Sequence, residues 1–228
     1  MSLIPKFKDL RYRLFYGALL QRNYKLLTLG NREAECHWNF CPDNLDANSV
    51  VYSGGVGRDI SFEHGLVAKY GCSIVLLDPS PTGCETMALP MNQIPQFKFI
   101  PVGLAGGCKT LELAPPIYPG EGSWFKNAGA GNTIKVPCED LQTLMKKNGH
   151  HKIDLLKIDI EGAEYEVLYD LLNRRLPVNQ VLVEFHHGIL PGIKRGETVR
   201  AILKMVAGGY KLLDQCGSNH TFLRQQIF

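Results

Sequence analysis

The 228-residue chain has no C-x-x-C pair, no internal repeat, no low-complexity tract and no apolar run long enough to span a bilayer. Each absence excludes something. The seven cysteines (Cys36, Cys41, Cys72, Cys84, Cys108, Cys138 and Cys216) are odd in number and scattered, which argues against a disulfide framework or a zinc cluster. They fit a reducing compartment, and Cys72 and Cys138, beside predicted strands, read as small buried apolar residues. The apolar stretch Leu14 to Leu20 is far shorter than the roughly twenty residues a spanning helix needs. With no signal peptide ahead of it, the expectation is a cytoplasmic chain without a transmembrane segment. The net charge of +3 demands no nucleic-acid partner. It is unevenly spread: Lys6, Lys8, Arg11, Arg13, Arg22, Lys25 and Arg32 face only Asp9 within residues 1–32, a segment of about +6. Such a basic lead can touch a membrane, nucleic acid or an acidic partner, or simply pack on the domain as a solvated helix.

What is present points to one sizeable α/β domain: 45% of residues are hydrophobic and the length suffices for a proper core. The chain is organised around Val50 to Leu77. Val50, Val51 and Tyr52 suit a buried strand. Gly54, Gly55 and Gly57 then open a tight turn in which backbone N–H groups can approach a ligand with no Cβ in the way. Ile60, Phe62, Leu66, Val67 and Tyr70 carry helical spacing, and Gly71 fits the position past the helix end. Ser73 to Leu77 is a second strand, and Asp78 stands at its carboxyl end, about twenty residues after the glycines. In a nucleotide-binding βαβ unit an acid there accepts hydrogen bonds from ribose hydroxyls.

Before this unit, residues 1–28 are expected to be helical, and residues 31–48 are a lead-in loop whose Trp38 and Phe40 cover the core edge. After it, a short helix spans 82–92, a strand Phe97 to Val102, and Gly103 and Leu104 follow at the sheet edge where doubly wound folds bind ligands. Thr110 to Leu113 is a strand. Ala114 to Asn132, rich in Pro and Gly around Trp124 and Phe125, is a long loop that either closes over a substrate or lies on the surface. Then come a helix over Glu139 to Lys147, a strand over Ile153 to Ile160, a helix over Glu161 to Leu172, a strand over Gln180 to Phe185 and a helix over Thr198 to Val206. Tyr210 to Leu213 and Thr221 to Leu223 form a terminal antiparallel pair about Gly217-Ser218-Asn219. Strands alternating with helices predict a parallel sheet covered on both faces.

The stretch Ile153-Asp154-Leu155-Leu156-Lys157-Ile158-Asp159-Ile160-Glu161-Gly162-Ala163-Glu164-Tyr165-Glu166-Val167-Leu168 closely resembles the signature of FkbM-type S-adenosylmethionine-dependent methyltransferases. Val51 to Glu63 and Val183-Glu184-Phe185-His186 resemble that family too, in the expected order. The resemblance covers roughly residues 49–224. Residues 1–48, the basic helical extension and lead-in loop, fall outside it, and the methyltransferase domain is expected over 49–228. The resemblance implies a Rossmann-like class I methyltransferase fold, a doubly wound, mostly parallel seven-stranded sheet with a terminal antiparallel strand. It implies S-adenosylmethionine as cofactor and a hydroxyl on a sugar or small natural product as acceptor. The cofactor residues so implied are Ser53, Gly54, Gly55, Gly57, Asp59, Asp78, Gly103, Leu104 and Asp159. One departure stands out. Ser53 occupies a position where many enzymes of this fold carry an acid for the cofactor's amino group, and Asp59 or Asp159 is the expected substitute.

Methyl transfer to a hydroxyl needs alignment of donor and acceptor and a base or metal to remove the proton. Asp159 and Glu161 end one predicted strand, and Glu184, His186 and His187 end another. Adjacent parallel strand ends converge on one crevice, so Asp159, His186 and Glu161 are the catalytic candidates. The bland alternatives are helix caps for Asp159 and Glu161 and a core histidine for His186. Asp159, Glu184 and His186 are candidate ligands for a divalent ion, although no tight spacing motif marks one. Glu164 reads as structural, and Lys157, inside a buried strand, is expected to reach a carboxylate or a backbone carbonyl. Two other classes share parts of this pattern. A nicotinamide-dependent dehydrogenase would use the βαβ unit and Asp78, and a degenerate methyltransferase fold would serve as a binding module.

Overall fold

The computed structural model describes residues 14–43, 45–107, 109–116, 122–126, 132–188 and 193–225. Of the lead segment, positions 1–13 with Lys6, Lys8, Arg11 and Arg13 lie outside the described residues, as does Cys108; residues 14–19 are helical (α1).

The centre is a seven-stranded sheet. Its strands are β3 (Val50–Gly54), β4 (Ser73–Leu77), β5 (Phe97–Ile100), β10 (Ile153–Ile158), β11 (Val178–Glu184), β12 (Tyr210–Cys216) and β13 (Asn219–Arg224). The spatial order is β12-β13-β11-β10-β3-β4-β5. The β11-β10-β3-β4-β5 pairs are parallel, and only β13 runs against its neighbours. This is the Rossmann-like class I methyltransferase architecture, with the switch of strand order falling between β3 and β10.

Alternate residues along the central strands enter opposite halves of the core, the period-two rule of a pleated sheet. Tyr52, Leu156 and Val181 face α4 (Leu141–Asn148), α5 (Glu164–Asn173) and α6 (Arg195–Ala207). Val51, Leu155 and Leu182 face α2 (Ser61–Tyr70). Both faces are covered, which is why these strands read as continuous apolar runs. Local signals fix the helix ends. Gly71 and Gly149 close α2 and α4 in the left-handed conformation, at φ of 70° and 68°. Ser80 accepts from the Gly83 N–H at the start of α3 (Pro81–Ala88), and Asp140 accepts from the Thr143 N–H at the start of α4.

The two expected loops are only partly loop. β1 (Leu27–Asn31), which begins inside the stretch expected to be helical, and β2 (Cys36–Phe40), inside the expected lead-in loop, form an antiparallel hairpin over α2; helix ends at residue 19 because the chain leaves it to pair as a strand. The apolar Trp38 and Phe40 alternate with His37 and Asn39, and both bury themselves against Phe62. Asn39 binds Asp214, and its carbonyl accepts from Thr221, tying the hairpin to the far sheet edge. Of the loop expected over Ala114 to Asn132, residues 115–116 and 122–124 carry neither strand nor helix, 117–121 and 127–131 lie outside the described residues, and Phe125–Lys126 pairs with β7 (Thr110–Ala114) in a four-stranded sheet. It contains β6 (Gly103–Leu104), β8 (Phe125–Lys126) and β9 (Ile134–Glu139) in the order β6-β9-β7-β8. It is held by Leu111, Leu113, Val136 and Cys138. Burial alternates along 134–139, but Pro137 at an exposed position speaks against a strand, so β9 does not stand out in the sequence. Finally, α5 begins at Glu164 rather than Glu161, because residues 161–163 form a turn.

Candidate functional site

The carboxyl ends of β3, β4, β10 and β11 open into a cavity of about 730 Å³. Gly55, Gly57, Asp59, Asp78, Gly103 and Leu104 line one part of it, and Asp159, Glu161 and Glu184 another. The β1–β2 hairpin adds Trp38, and the loop just before β8 adds Trp124. Among the described residues no helix is long and apolar enough to cross a membrane.

At the glycine turn, Asp78 is a structural centre. Its Oδ2 accepts from the N–H groups of Val56 (2.9 Å) and Gly57 (3.1 Å), and its Oδ1 from that of Ser80 (2.8 Å). A carboxylate offers about four acceptor sites. Three are taken, so one remains open toward the cavity. The N-terminus of α3 presses on this acid: a Cβ at Gly83 would come within 2.3 Å of Asp78 Cγ. Gly55 has a different reason to be glycine than close ligand approach. At φ of 87°, its Cβ would lie 1.7 Å from the Asp159 carbonyl oxygen, so the residue is required by the crossing of two chain segments. A side chain there would damage the fold, not only a cofactor pocket. Gly57, at φ of 55° with nothing within 4 Å of a built Cβ, is the glycine that faces open space.

Ser53 is buried and does not face a ligand alone. Its Oγ donates to Glu63 Oε1 (2.5 Å), and Glu63 lies 3.5 Å from Lys157 Nζ. Lys157 also donates to the Gly55 carbonyl at 2.9 Å, so it reaches both a carboxylate and a carbonyl. Burial by itself works to lower the Lys157 ammonium, but the charges of Glu63 and Asp159 outweigh it and hold it above its ordinary range. Asp59 is engaged by the Ser61 N–H and by Asn31.

At the ends of β10 and β11, His186 stands among four carboxylates. Its Nε2 is 3.1 Å from Glu161, 3.7 Å from Asp159 and 4.0 Å from Glu184, and its Nδ1 is 3.4 Å from Glu164. Glu164 is fully buried and accepts from the Gly162 and His186 N–H groups, locking the start of α5 to the end of β11. Burial works to lower the imidazole, but the Glu164 hydrogen bond and the charges of Glu161, Glu164 and Asp159 push it up to about 10. Burial first, then repulsion from Asp159, raises Glu184 to about 7; burial and the same neighbour raise Glu161 to about 7 against the pull of His186. Glu161 adopts a left-handed φ of 48°, a strained turn of the kind that aims a side chain into a site. It caps no helix; its carbonyl accepts from Lys126, and Ser123 hydrogen-bonds its side chain. Trp124 donates to Thr82 at 3.2 Å, so residues 122–126 strap the cavity from one side to the other. His187 turns away to Thr198.

Sequence-selected residues Asp159, Glu161, Glu184 and His186 therefore meet at one place, and Asp159, Glu184 and His186 have donor atoms within 4.8 Å of one another. Two residues of the site do not stand out in the sequence pattern. Glu63 shares the apolar face of α2, three and four residues before Leu66 and Val67, which is a readable oddity for a carboxylate. Glu164 looks like an ordinary first-turn acid, and nothing local distinguishes it.

Comparison with known proteins bears on this arrangement. The FkbM methyltransferase domain matches residues 43–217. Hexuronic acid methyltransferase AglP of Haloferax volcanii is 26% identical over 138 residues, 60% of this chain and 56% of that protein. A human protein described as "Probable methyltransferase-like protein 24" is 26% identical over 162 residues, 65% of this chain and 38% of that one. The chain thus spans about half or less of the length of these curated relatives. Among solved structures, the METTL16 methyltransferase domain superposes with a TM-score of 0.46 at 10% identity, over 80% of this chain and 61% of that one. Precorrin-6y C5,15-methyltransferase from Geobacter metallireducens gives 0.45 at 8% identity, over 80% and 83%. Both superpositions are too loose to bear on function.

Proposed function

Because the chain belongs to the FkbM methyltransferase family, we propose that it transfers a methyl group from S-adenosylmethionine to a hydroxyl of a sugar or small natural product. One observation carries this reading. A single cavity joins the glycine turn and Asp78 to a cluster of carboxylates raised toward neutrality at the ends of β10 and β11. The archaeal relative's action on a hexuronic acid supports a sugar acceptor.

The residues fit the cofactor. Asp78 retains an acceptor site for the ribose, Gly57 leaves room beside it, and Gly103, Leu104 and Trp124 offer an apolar wall for a base. When bound, the cofactor supplies a methyl already activated on a sulfonium. The chain has then to align the acceptor and take its proton. Glu184 suits the second of these roles. It lines the cavity, stands free of the bonds that hold Glu161, and has a pKa of about 7. Asp159 and Glu161 flank it, and Asp159 sits where a sulfonium's charge would be welcome. His186 is not part of the cavity wall; it works from behind as an imidazolium that holds the carboxylates together. A divalent ion on Asp159, Glu184 and His186 would have to displace that proton, so the direct base is preferred.

A nicotinamide-dependent dehydrogenase would leave the carboxylate cluster without a use. The test is calorimetry with S-adenosylhomocysteine and NAD, followed by turnover on a panel of sugars and uronic acids with and without EDTA. Tight S-adenosylhomocysteine binding and EDTA-resistant turnover are expected. Binding of NAD alone overturns the reading. Cofactor binding without turnover on any acceptor favours a binding module, and activity lost to EDTA and restored by a divalent ion favours the metal.

A further inference from the structure

Ser53 and Lys157 are direct partners in the β3–β10 register, and both belong to the set of positions that faces α2. From α2, Glu63 meets them. Together they form a buried polar cluster in the half of the core packed on α2, with Ser53 and Glu63 each 1% exposed and Lys157 5% exposed. Stability alone does not account for the pair, since apolar residues of similar volume often serve a core as well as a buried ion pair does. It is also incomplete. Glu63 Oε2 is buried without any hydrogen-bond partner, the kind of acceptor that costs free energy unless something fills it. Lys157 has three N–H donors, of which the Gly55 carbonyl and Glu63 Oε1 take two. Both side chains line the cavity. The Ser53 bond and the Lys157 contact both fall on Oε1, which leaves Oε2 as the open atom.

We propose that the Glu63–Lys157 pair is the receptor for the α-amino-acid end of the cofactor, with Glu63 Oε2 accepting from its ammonium and Lys157 Nζ facing its carboxylate. A neutral pair of opposite charges complements a zwitterion, and neither charge has to be desolvated afresh on binding. The assignment also accounts for Ser53. The negative charge missing from the end of β3 is delivered from α2, ten residues later, and the serine hydroxyl aims it. Asp59 and Asp159, the substitutes expected from sequence, already serve the Ser61 N–H and the His186 cluster.

The assignment rests on the S-adenosylmethionine reading, and ligand truncation separates the two. Calorimetry would compare S-adenosylhomocysteine with 5′-methylthioadenosine, which lacks the amino-acid end, and with decarboxylated S-adenosylhomocysteine. The wild-type protein is expected to bind the full ligand roughly ten- to hundredfold more tightly than 5′-methylthioadenosine, as befits hydrogen bonds to charged groups. Glu63→Gln should remove most of that difference by weakening S-adenosylhomocysteine while leaving 5′-methylthioadenosine unchanged. Lys157→Met should narrow the gap between the full and decarboxylated ligands. Equal wild-type affinity for all three overturns the assignment and leaves the cofactor reading standing, and this comparison decides even if the variants do not fold. Equal loss of both nucleosides in Glu63→Gln overturns it as well, marking the pair as structural. If no adenosyl ligand binds the wild type, the cofactor reading falls and the assignment with it.

Discussion

Asp78 shows how one side chain can hold a turn and serve a ligand together. Removing it in Asp78→Ala orphans the N–H groups of Val56, Gly57 and Ser80. Each buried donor left unpaired costs about 1–3 kcal/mol. The variant is therefore expected to melt at lower temperature and to bind S-adenosylhomocysteine roughly ten- to hundredfold more weakly. Calorimetry beside a thermal melt checks both, and unchanged affinity in a folded variant would sink the ribose role. For Glu184, the raised pKa sets the sign of a pH dependence: the carboxylate accepts a proton only when ionised. With Glu184 as base, kcat/KM should climb about tenfold per pH unit below pH 7 and level off above it. Glu184→Gln should lower kcat by ~10²–10⁴ and abolish that limb. If Glu161→Gln does so instead, the neighbouring carboxylate, also near 7, is the base.

At the scale of elements, the site is closed by two pieces outside the seven-stranded sheet. The β1–β2 hairpin brings Trp38, whose ring lies 5.4 Å from Lys157 Nζ, and residues 122–126 bring Trp124. These are the chain's 2 tryptophans, and both line the cavity. Intrinsic fluorescence should therefore report nucleoside binding directly. If Trp124 walls the base, Trp124→Phe should lose most of the response to 5′-methylthioadenosine, and Trp38→Phe the additional response to S-adenosylhomocysteine. A response that survives in Trp124→Phe places the base elsewhere in the cavity. The strap also couples to chemistry, because Lys126 binds the Glu161 carbonyl and so fixes the strained turn that presents the Glu161 carboxylate.

For the molecule as a whole, the charge cluster makes stability depend on pH. The imidazole of His186 is raised to about 10 from an ordinary 6.5. The folded state thus holds a proton that the unfolded chain releases above pH 6.5. Its stabilisation is complete below 6.5 and is lost as pH rises through 10. Glu161 and Glu184, raised from 4.5 to about 7, act with the same sign lower down, losing their stabilisation as pH rises through 7. Thermal melts should show stability falling between pH 6.5 and 9.5. His186→Gln should flatten that fall, and an unchanged slope in the variant would mean that the imidazole is neutral.

The sequence by itself determined the βαβ unit, the parallel sheet, the terminal antiparallel pair and the candidates Asp78, Asp159, Glu161, Glu184 and His186. Those features rest on local physics: alternation along a strand, helical spacing, glycine where the chain turns, and acids at strand ends. Only the tertiary structure decided what each candidate does. Asp78 binds backbone because the glycine turn folds back onto it, and Gly55 is fixed by a carbonyl more than one hundred residues away. The hairpin at 27–40 and the small sheet holding β9 draw their stability from distant partners rather than from their own pattern. Glu63 gains its meaning only when register sets Ser53 opposite Lys157 and α2 lowers a carboxylate between them. Register and helix placement are long-range consequences of packing, so a window of local sequence carries the parts of this site but not their meeting.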